Sequence, residues 1–248
     1  MYDDIASLYH LVYPDWNEAI KQQGSALNGV VSNFLGSVPL SILDVSCGIG
    51  TQALGLAALG HNVTASDLSA AAVARAHKEA LSRGLEMTFK VADMRQCAQM
   101  HGSGFDVVLS ADNSLPHLPG DEIRVALQGF YQCLRHDGVA IVSLREYLED
   151  EDRSSPQMWS YGFRYDGSDR YFVFQTRDWN DDAYDVAMYF VREVKQGTPA
   201  SVTAGLSRYY AITIERLMFL FRDVGFTDVQ RLDGILHQPI VLGRRSAA

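Results

Sequence analysis

The sequence predicts an α/β fold: a mostly parallel, seven-stranded sheet with helices on both faces, interrupted by an antiparallel β insertion. Three observations carry this. From Ser41 to about Arg145, short apolar runs alternate with helical stretches, the pattern of a sheet built from βαβ units. Residues 151–212 lose that rhythm and show aromatic, β-branched runs separated by polar turns. After Thr213 a helical pattern returns, followed by two short apolar runs. With 248 residues, 47% of them hydrophobic, the chain can bury the core of one large domain. The predicted organisation is a discontinuous domain, 1–150 and 213–248, around an inserted cover at 151–212.

Each element has its own signal. Ser41 to Ser46 is a short buried strand, and Thr51 to Leu59 is a helix stopped by Gly60. His61 to Asp67 is a second strand. Ser69 is placed to cap a helix that runs through alanines to Arg83, with Gly84 past its end. Met87 to Val91 and Phe105 to Ser110 read as strands three and four. The next helix presents Ile123, Leu127, Phe130 and Leu134 on one face, and Asp137-Gly138 ends it before strand five at Val139 to Leu144. In the insertion, Arg170 to Thr176, Asp185 to Glu193 and Ser201 to Thr213 read as antiparallel strands. Asn180-Asp181-Asp182 and Lys195 to Pro199 are the turns between them. Ile214 to Val224 is a helix before Gly225, and Asp228 to Leu232 and Pro239 to Leu242 close the sheet.

Composition narrows the function. A formal net charge of −9, with cations scattered among acids, argues against a nucleic-acid partner. Cys47, Cys97 and Cys133 form no C-x-x-C pair and read as reduced thiols of a cytoplasmic protein. No apolar run approaches the roughly 20 residues of a membrane span, and the acidic start MYDDIASLYHLVY is unlike a signal peptide. No metal-ligand spacing is present. A monomer is the default expectation.

The chemistry concentrates at strand ends. LDVSCGIGTQ, Leu43 to Gln52, is a turn between a strand and a helix. Glycines at 48 and 50 let the backbone approach a ligand beside free helix amides. Asp67, ending the second strand, is positioned to accept both ribose hydroxyls of an adenosine ligand and to repel a 2′-phosphate. Asp93, after the third strand in VADMR, can accept an adenine amine, with Met94 against the ring.

These segments, with ADNSLPHL after strand four, resemble the class I S-adenosylmethionine-dependent methyltransferases, a Rossmann-like fold. More narrowly, the chain is similar to the glycine/sarcosine N-methyltransferases through Asn113-Ser114-Leu115 with His117-Leu118, Arg145-Glu146-Tyr147 and Ser207-Arg208-Tyr209-Tyr210. The resemblance implies S-adenosyl-L-methionine as cofactor, held by Tyr9, Asp44, Cys47, Gly48, Gly50, Asp67, Leu68, Asp93, Met94 and Asp112. It implies that Asn113 and Arg145 hold a substrate carboxylate. YDDIASLYHLVY is similar to a tyrosine-rich lid of the class, with His10 in place of an aspartate, which makes Tyr2, Tyr9 and Tyr13 candidates for the methionine part. The family's His-Arg-Asn-Tyr-Asp stretch stands here as Leu144-Arg145-Glu146-Tyr147-Leu148, with an added acid beside the arginine.

Methyl transfer from a sulfonium needs alignment and exclusion of water more than a nucleophilic side chain. Arg145 can fix a carboxylate bidentately; its competing role is a salt bridge to Glu146, Glu149 or Asp150. His117 is the general-base candidate for a hydroxyl acceptor, against a purely structural loop role. Tyr209 and Tyr210 alternate faces, so one faces the pocket. The expected product chemistry is N-methylation of glycine, sarcosine or a related amine. Methylation of an aromatic natural product, and non-catalytic binding of the cofactor, fit the same residues.

Overall fold

A computed structural model of the chain describes residues 2–36, 39–147, 152–193 and 199–246. Two helices precede the sheet: the short α1 (Tyr2–Ile5), followed by a 3-10 turn at Tyr9–Val12, and the long α2 (Trp16–Leu35). Asp15 caps α2 by accepting from the Glu18 amide at 3.1 Å. The central region runs β1 (Ser41–Asp44), α3 (Thr51–Ala58), β2 (Asn62–Asp67), α4 (Ala70–Ser82), β3 (Thr88–Val91), α5 (Cys97–His101), β4 (Phe105–Ser110), α6 (Gly120–Cys133) and β5 (Leu134–Ser143). Four long strands follow, β6 (Gln157–Asp166), β7 (Asp169–Asn180), β8 (Ala183–Arg192) and β9 (Ser201–Tyr210). Helix α7 (Ile214–Val224), β10 (Phe226–Leu232) and β11 (Ile240–Arg245) complete the described chain.

The seven-stranded sheet has the order β10-β11-β5-β4-β1-β2-β3. Its first two strands in that order run antiparallel to their neighbours, and the rest pair in parallel. Successive residues of the inner strands point to opposite faces, so one strand feeds two cores. Leu43, Val108 and Ala140 join α6 and α7 on one face, and Ile42, Val107 and Val139 join α2 and α3 on the other. The order reverses between β1 and β4, so the loops after these strands diverge and leave a crevice at their C-terminal ends. The second sheet, β6-β7-β8-β9, is antiparallel throughout.

Three differences from the sequence reading have physical causes. Leu134, read as the last core residue of the helix, begins β5 instead. The segment after it bulges out between the Phe105–Leu134 and Val107–Val139 pairs, with Asp137 in the left-handed region at φ 62°. Strand β6 carries no core stripe because most of its residues are exposed. Helix α2 lies in a stretch the reading left unassigned. Within the predicted Lys195–Pro199 turn, residues 195–198 lie outside the described residues. All three cysteines are buried and free. Among the described residues no helix is long and apolar enough to cross a membrane.

Helices α2 and α3 touch through glycine. A Cβ on Gly55 would stand 2.3 Å from the Ile20 carbonyl oxygen and 2.8 Å from Gly24 Cα, backbone atoms that cannot swing aside. Gly29, on the same helix, faces open space. Gly55→Ala is therefore expected to destabilise the protein by about 1–3 kcal/mol or more. Gly29→Ala is expected to stabilise it by about 0.5–1 kcal/mol. Urea denaturation of the two variants checks the contrast.

Candidate functional site

The crevice begins at the turn after β1. Gly48 and Gly50 adopt φ 52° and 96°. A Cβ on Gly50 would press on Leu54 Cδ1 at 3.1 Å and Ala76 Cβ at 3.2 Å, so the left-handed backbone and the close helix contact both select glycine. The turn is tied to β2 twice: the Cys47 amide donates to the Ser66 carbonyl at 2.9 Å, and the Gly48 amide to Asp67 Oδ2 at 2.8 Å. Asp67 Oδ1 accepts from the Ser69 amide at 2.9 Å, while Ser69 Oγ caps α4 through the Ala72 amide at 3.1 Å. Beneath the turn, Asp44 is buried. Its Oδ1 accepts from the Ser46 amide, its Oδ2 has no partner, and burial pushes its carboxyl up to about 7.

The N-terminal segment closes over this turn. Asp3 Oδ1 accepts from Ser69 Oγ at 2.7 Å and from the Ala71 amide at 2.9 Å, which holds the Asp3 carboxyl below its ordinary value. Tyr2 reaches further. Because the Arg208 carbonyl can only accept, His117 Nδ1 carries the proton of their 3.0 Å bond, and the bare Nε2 accepts from the Tyr2 hydroxyl at 3.1 Å. Tyr209 then donates to the Tyr2 oxygen at 2.9 Å. Burial depresses His117 to about 4, so at neutral pH it is an uncharged clasp between three distant segments.

Two cavities meet beneath this strap. The first, of about 490 Å³, is lined by the glycine turn and by Asp67, Leu68, Asp93, Met94 and His117, with Tyr2 and Asp3 over it. The second, of about 1210 Å³, lies between the two sheets and is lined by Arg145, Trp159, Tyr161, Arg177, Tyr184 and Tyr209 among others. Tyr9, Tyr13 and Asp112 line both. Tyr13 donates to Asp112 Oδ2 at 3.4 Å.

The predicted residues separate on this geometry. Cys47, Gly48, Asp67, Leu68, Asp93, Met94, Asp112 and Tyr9 all face the first cavity. Gly50 and Asp44 support it from behind. The Asp93 carboxylate is also engaged by Arg95, which holds its carboxyl below the usual carboxylate range, and Arg95 pairs on to Glu122. Asn113, at φ 61°, accepts the Arg145 amide on Oδ1 at 2.9 Å and directs its NH₂ to the Tyr147 and Tyr184 hydroxyls at 3.4 Å. Its side chain anchors the segment after β5. The Arg145 guanidinium lies over the Tyr147 ring, 5.4 Å from its centroid, and lines the second cavity. Of its predicted salt-bridge partners, Glu146 pairs with Arg231 at 2.6 Å, and Glu149 and Asp150 lie outside the described residues. Tyr210 is a correction: strand alternation turns it away from Tyr209 into a separate cleft with Gly120 and Arg153.

Sequence reasoning missed Arg177 and Arg95. Arg177 is 6% exposed, with its guanidinium over Trp159 at 4.4 Å and Tyr184 at 4.8 Å. The available signal was a cation two and four residues from Gln175 and Val173, on the inward face of a strand.

The clasp yields a test. Tyr2→Phe removes the donor to His117 Nε2 and leaves a half-buried ring nitrogen unpaired, at a cost of about 1–3 kcal/mol. Amide exchange in residues 2–13 is expected to quicken while that of β1 and β4 is unchanged. In the wild type the strap is expected to loosen as pH falls below the ordinary histidine value of about 6.5. The unfolded segment then binds a proton that the closed one refuses until about 4.

Residues 42–138 match the methyltransferase domain family. The glycine/sarcosine N-methyltransferase of Parasynechococcus marenigrum is 31% identical over 135 residues, covering 54% of this chain and 46% of the relative. The aligned stretch thus spans about half the length of that curated relative. Among solved structures, Streptomyces venezuelae DesVI superposes with a TM-score of 0.83 at 19% identity, covering 98% of both chains. An S-adenosylmethionine-dependent methyltransferase of Clostridium acetobutylicum superposes at 0.77 with 17% identity, covering 99% of both. The matched residues run from β1 through β4 to the start of β5, and the chain has the class I methyltransferase fold.

Proposed function

We propose that the protein is an S-adenosylmethionine-dependent methyltransferase that methylates the nitrogen of a small amine, glycine or sarcosine being the reference acceptors. The observation that carries this reading is the pair of cavities joined at Tyr9, Tyr13 and Asp112. A transfer between two bound molecules needs two compartments with one shared boundary.

The residues fit the cofactor. A volume of about 490 Å³ suits a nucleoside-sized ligand. The glycine turn offers backbone approach, and Asp67 stands at the end of β2 for the ribose hydroxyls. Leu68 and Met94 offer apolar surface for a ring, with Asp93 for its amine. The orphaned Asp44 Oδ2 beneath the turn is an acceptor awaiting a donor. Bound there, the sulfonium supplies an activated methyl carbon. The chain's own contribution is then position and dryness, which for well-oriented reactants is worth roughly 7–11 kcal/mol. Tyr2 and Asp3 shut the strap against water, and Tyr9 and Tyr13 hold the boundary. Arg145 and Arg177 set positive charge in the second cavity, where an amino acid's carboxylate would rest.

The glycine/sarcosine specificity rests on the named Parasynechococcus marenigrum relative and on Arg145. A second reading, a larger aromatic or natural-product acceptor, rests on the size of the second cavity, about 1210 Å³, and on its Trp159, Tyr161 and Tyr184 walls. The net charge of −9 weighs against nucleic-acid acceptors.

Calorimetric titration of S-adenosylmethionine into wild type and Asp67→Ala tests the assignment. Binding in the wild type is expected, with at least a ~30-fold loss in the variant, the equivalent of about 2 kcal/mol for a charge-assisted pair. No binding to the wild type overturns the reading. A product-coupled screen of amino acids, other amines and phenols then assigns the acceptor. Arg145→Ala is expected to raise KM for carboxylate-bearing acceptors about tenfold or more while leaving cofactor affinity unchanged.

A further inference from the structure

Asp112 stands where three cavities come together. It lines both cavities, and also a third of about 230 Å³ formed with Gln22, Gln23, Ser143, His237 and Gln238. That third cavity is polar and has room for several water molecules. The backbone is bent to put the carboxylate there. Asp112 and Asn113 are consecutive non-glycine residues in the left-handed region, at φ 56° and 61°. Such conformations persist only where surrounding bonds impose them. Here the Asp112 amide donates to Ser143 Oγ at 2.8 Å and the Asn113 amide to the Ser143 carbonyl at 3.1 Å, while Asn113 Oδ1 accepts the Arg145 amide. The end of β5 thus clamps the end of β4.

The carboxylate itself is lightly held. Oδ2 accepts from Tyr13 and Oδ1 from Gln238 Nε2, both at 3.4 Å, long for hydrogen bonds to a carboxylate. By contrast, Asp67 and Asp93 are held at 3.0 Å or less by backbone amides or an arginine. The titratable groups around Asp112 are the hydroxyls of Tyr9, Tyr13, Tyr161 and Tyr209 and the ring of His237. Asp112 keeps exposed surface, and the protein packed around its carboxyl raises it above the usual value, opposed by the Tyr13 hydroxyl and by His237. His117 is not available for the same task, since both its nitrogens are committed to Tyr2 and Arg208.

We propose that Asp112 receives the acceptor's amine where the cavities meet, takes its ammonium proton, and passes that proton to water in the third cavity. This deepens the methyltransferase reading and rests on it. The sequence appointed Asp112 to the cofactor; its position on all three cavities assigns it to the acceptor. An amine enters as R–NH₃⁺ and gives one proton to the Asp112 carboxylate. The freed lone pair forms the N–C bond as the methyl–sulfur bond breaks and its electron pair stays on sulfur. The product leaves as R–NH₂CH₃⁺, and Asp112 returns its proton to water in the third cavity, beside Gln238 and His237.

The test compares wild type, Asp112→Asn and Asp112→Glu in two measurements: calorimetric affinity for S-adenosylmethionine, and turnover of a panel of amines and their hydroxyl counterparts between pH 6 and 10. Turnover confined to amines is expected. Asp112→Asn should keep cofactor affinity within about threefold and lower kcat/KM at pH 7 by about 100-fold or more. Its residual rate should climb about tenfold per pH unit as the free amine replaces the ammonium, a recovery that a purely structural role would not produce. Asp112→Glu should restore part of the pH 7 rate. Preference for hydroxyl acceptors, wild-type turnover of amines by Asp112→Asn, or a pH-independent defect overturns the proposal. So does parallel loss of cofactor affinity, and so does a wild type that binds the cofactor yet turns over no amine in the panel. Failure of the wild type to bind S-adenosylmethionine sinks the methyltransferase reading instead, and calorimetry separates the two.

Discussion

One carboxylate holds the crevice together. Asp67 accepts from Gly48 on one side and Ser69 on the other, so it joins the loop after β1 to the start of α4. β1 and β2 are parallel neighbours, and their C-terminal ends would otherwise leave two loops free to drift. Ser69, fixed by that bond, caps α4 and donates to Asp3, so the strap over the crevice hangs from the same point. Without Asp67 the glycine turn would keep its permissive backbone and only the Cys47–Ser66 bond to tie it to β2. The Asp67 bonds fix the turn from within the protein, and a turn so constrained binds at low entropic cost.

The second sheet brings to this crevice what the βαβ units cannot. Strands β7, β8 and β9 bring Arg177, Tyr184 and Tyr209 opposite the ends of β4 and β5. The Tyr184 and Tyr209 rings stack at 5.2 Å with planes 7° apart. Asn113 and Tyr147 hydrogen-bond to Tyr184, and Tyr147 also packs against Trp179, so the wall of the second cavity is braced against the first sheet. The parallel sheet thus supplies the binding turn and the antiparallel one supplies the shape of the facing pocket. This is the division expected when one scaffold serves many acceptors through a variable cover.

Much of this was legible in the sequence, for identifiable reasons. β1, β2 and β4 are buried on both faces and flanked by glycine or an N-cap serine, so their run lengths and stops are visible without tertiary information. Asp67 and the glycine turn follow from that order. Strand β6 was invisible because most of its side chains are exposed and the rest are only partly covered, in no regular alternation, so it has no apolar period. The fate of Asn113 was equally hidden. Its amide is committed by a left-handed corner and by a tyrosine 71 residues away, and no local pattern encodes such a meeting. Arg177 looked like one more surface cation until the curl of the sheet enclosed it among rings.

The clasp of Tyr2, His117 and Tyr209 joins the N-terminal strap, the loop after β4 and the last strand of the second sheet through three hydroxyl and imidazole bonds in series. Tyr2 stands over the first cavity and Tyr209 borders the second. One hydrogen-bonded unit therefore borders both compartments. Displacing Tyr2 would take a partner from His117 and Tyr209 at once, so the walls of the two compartments are mechanically linked.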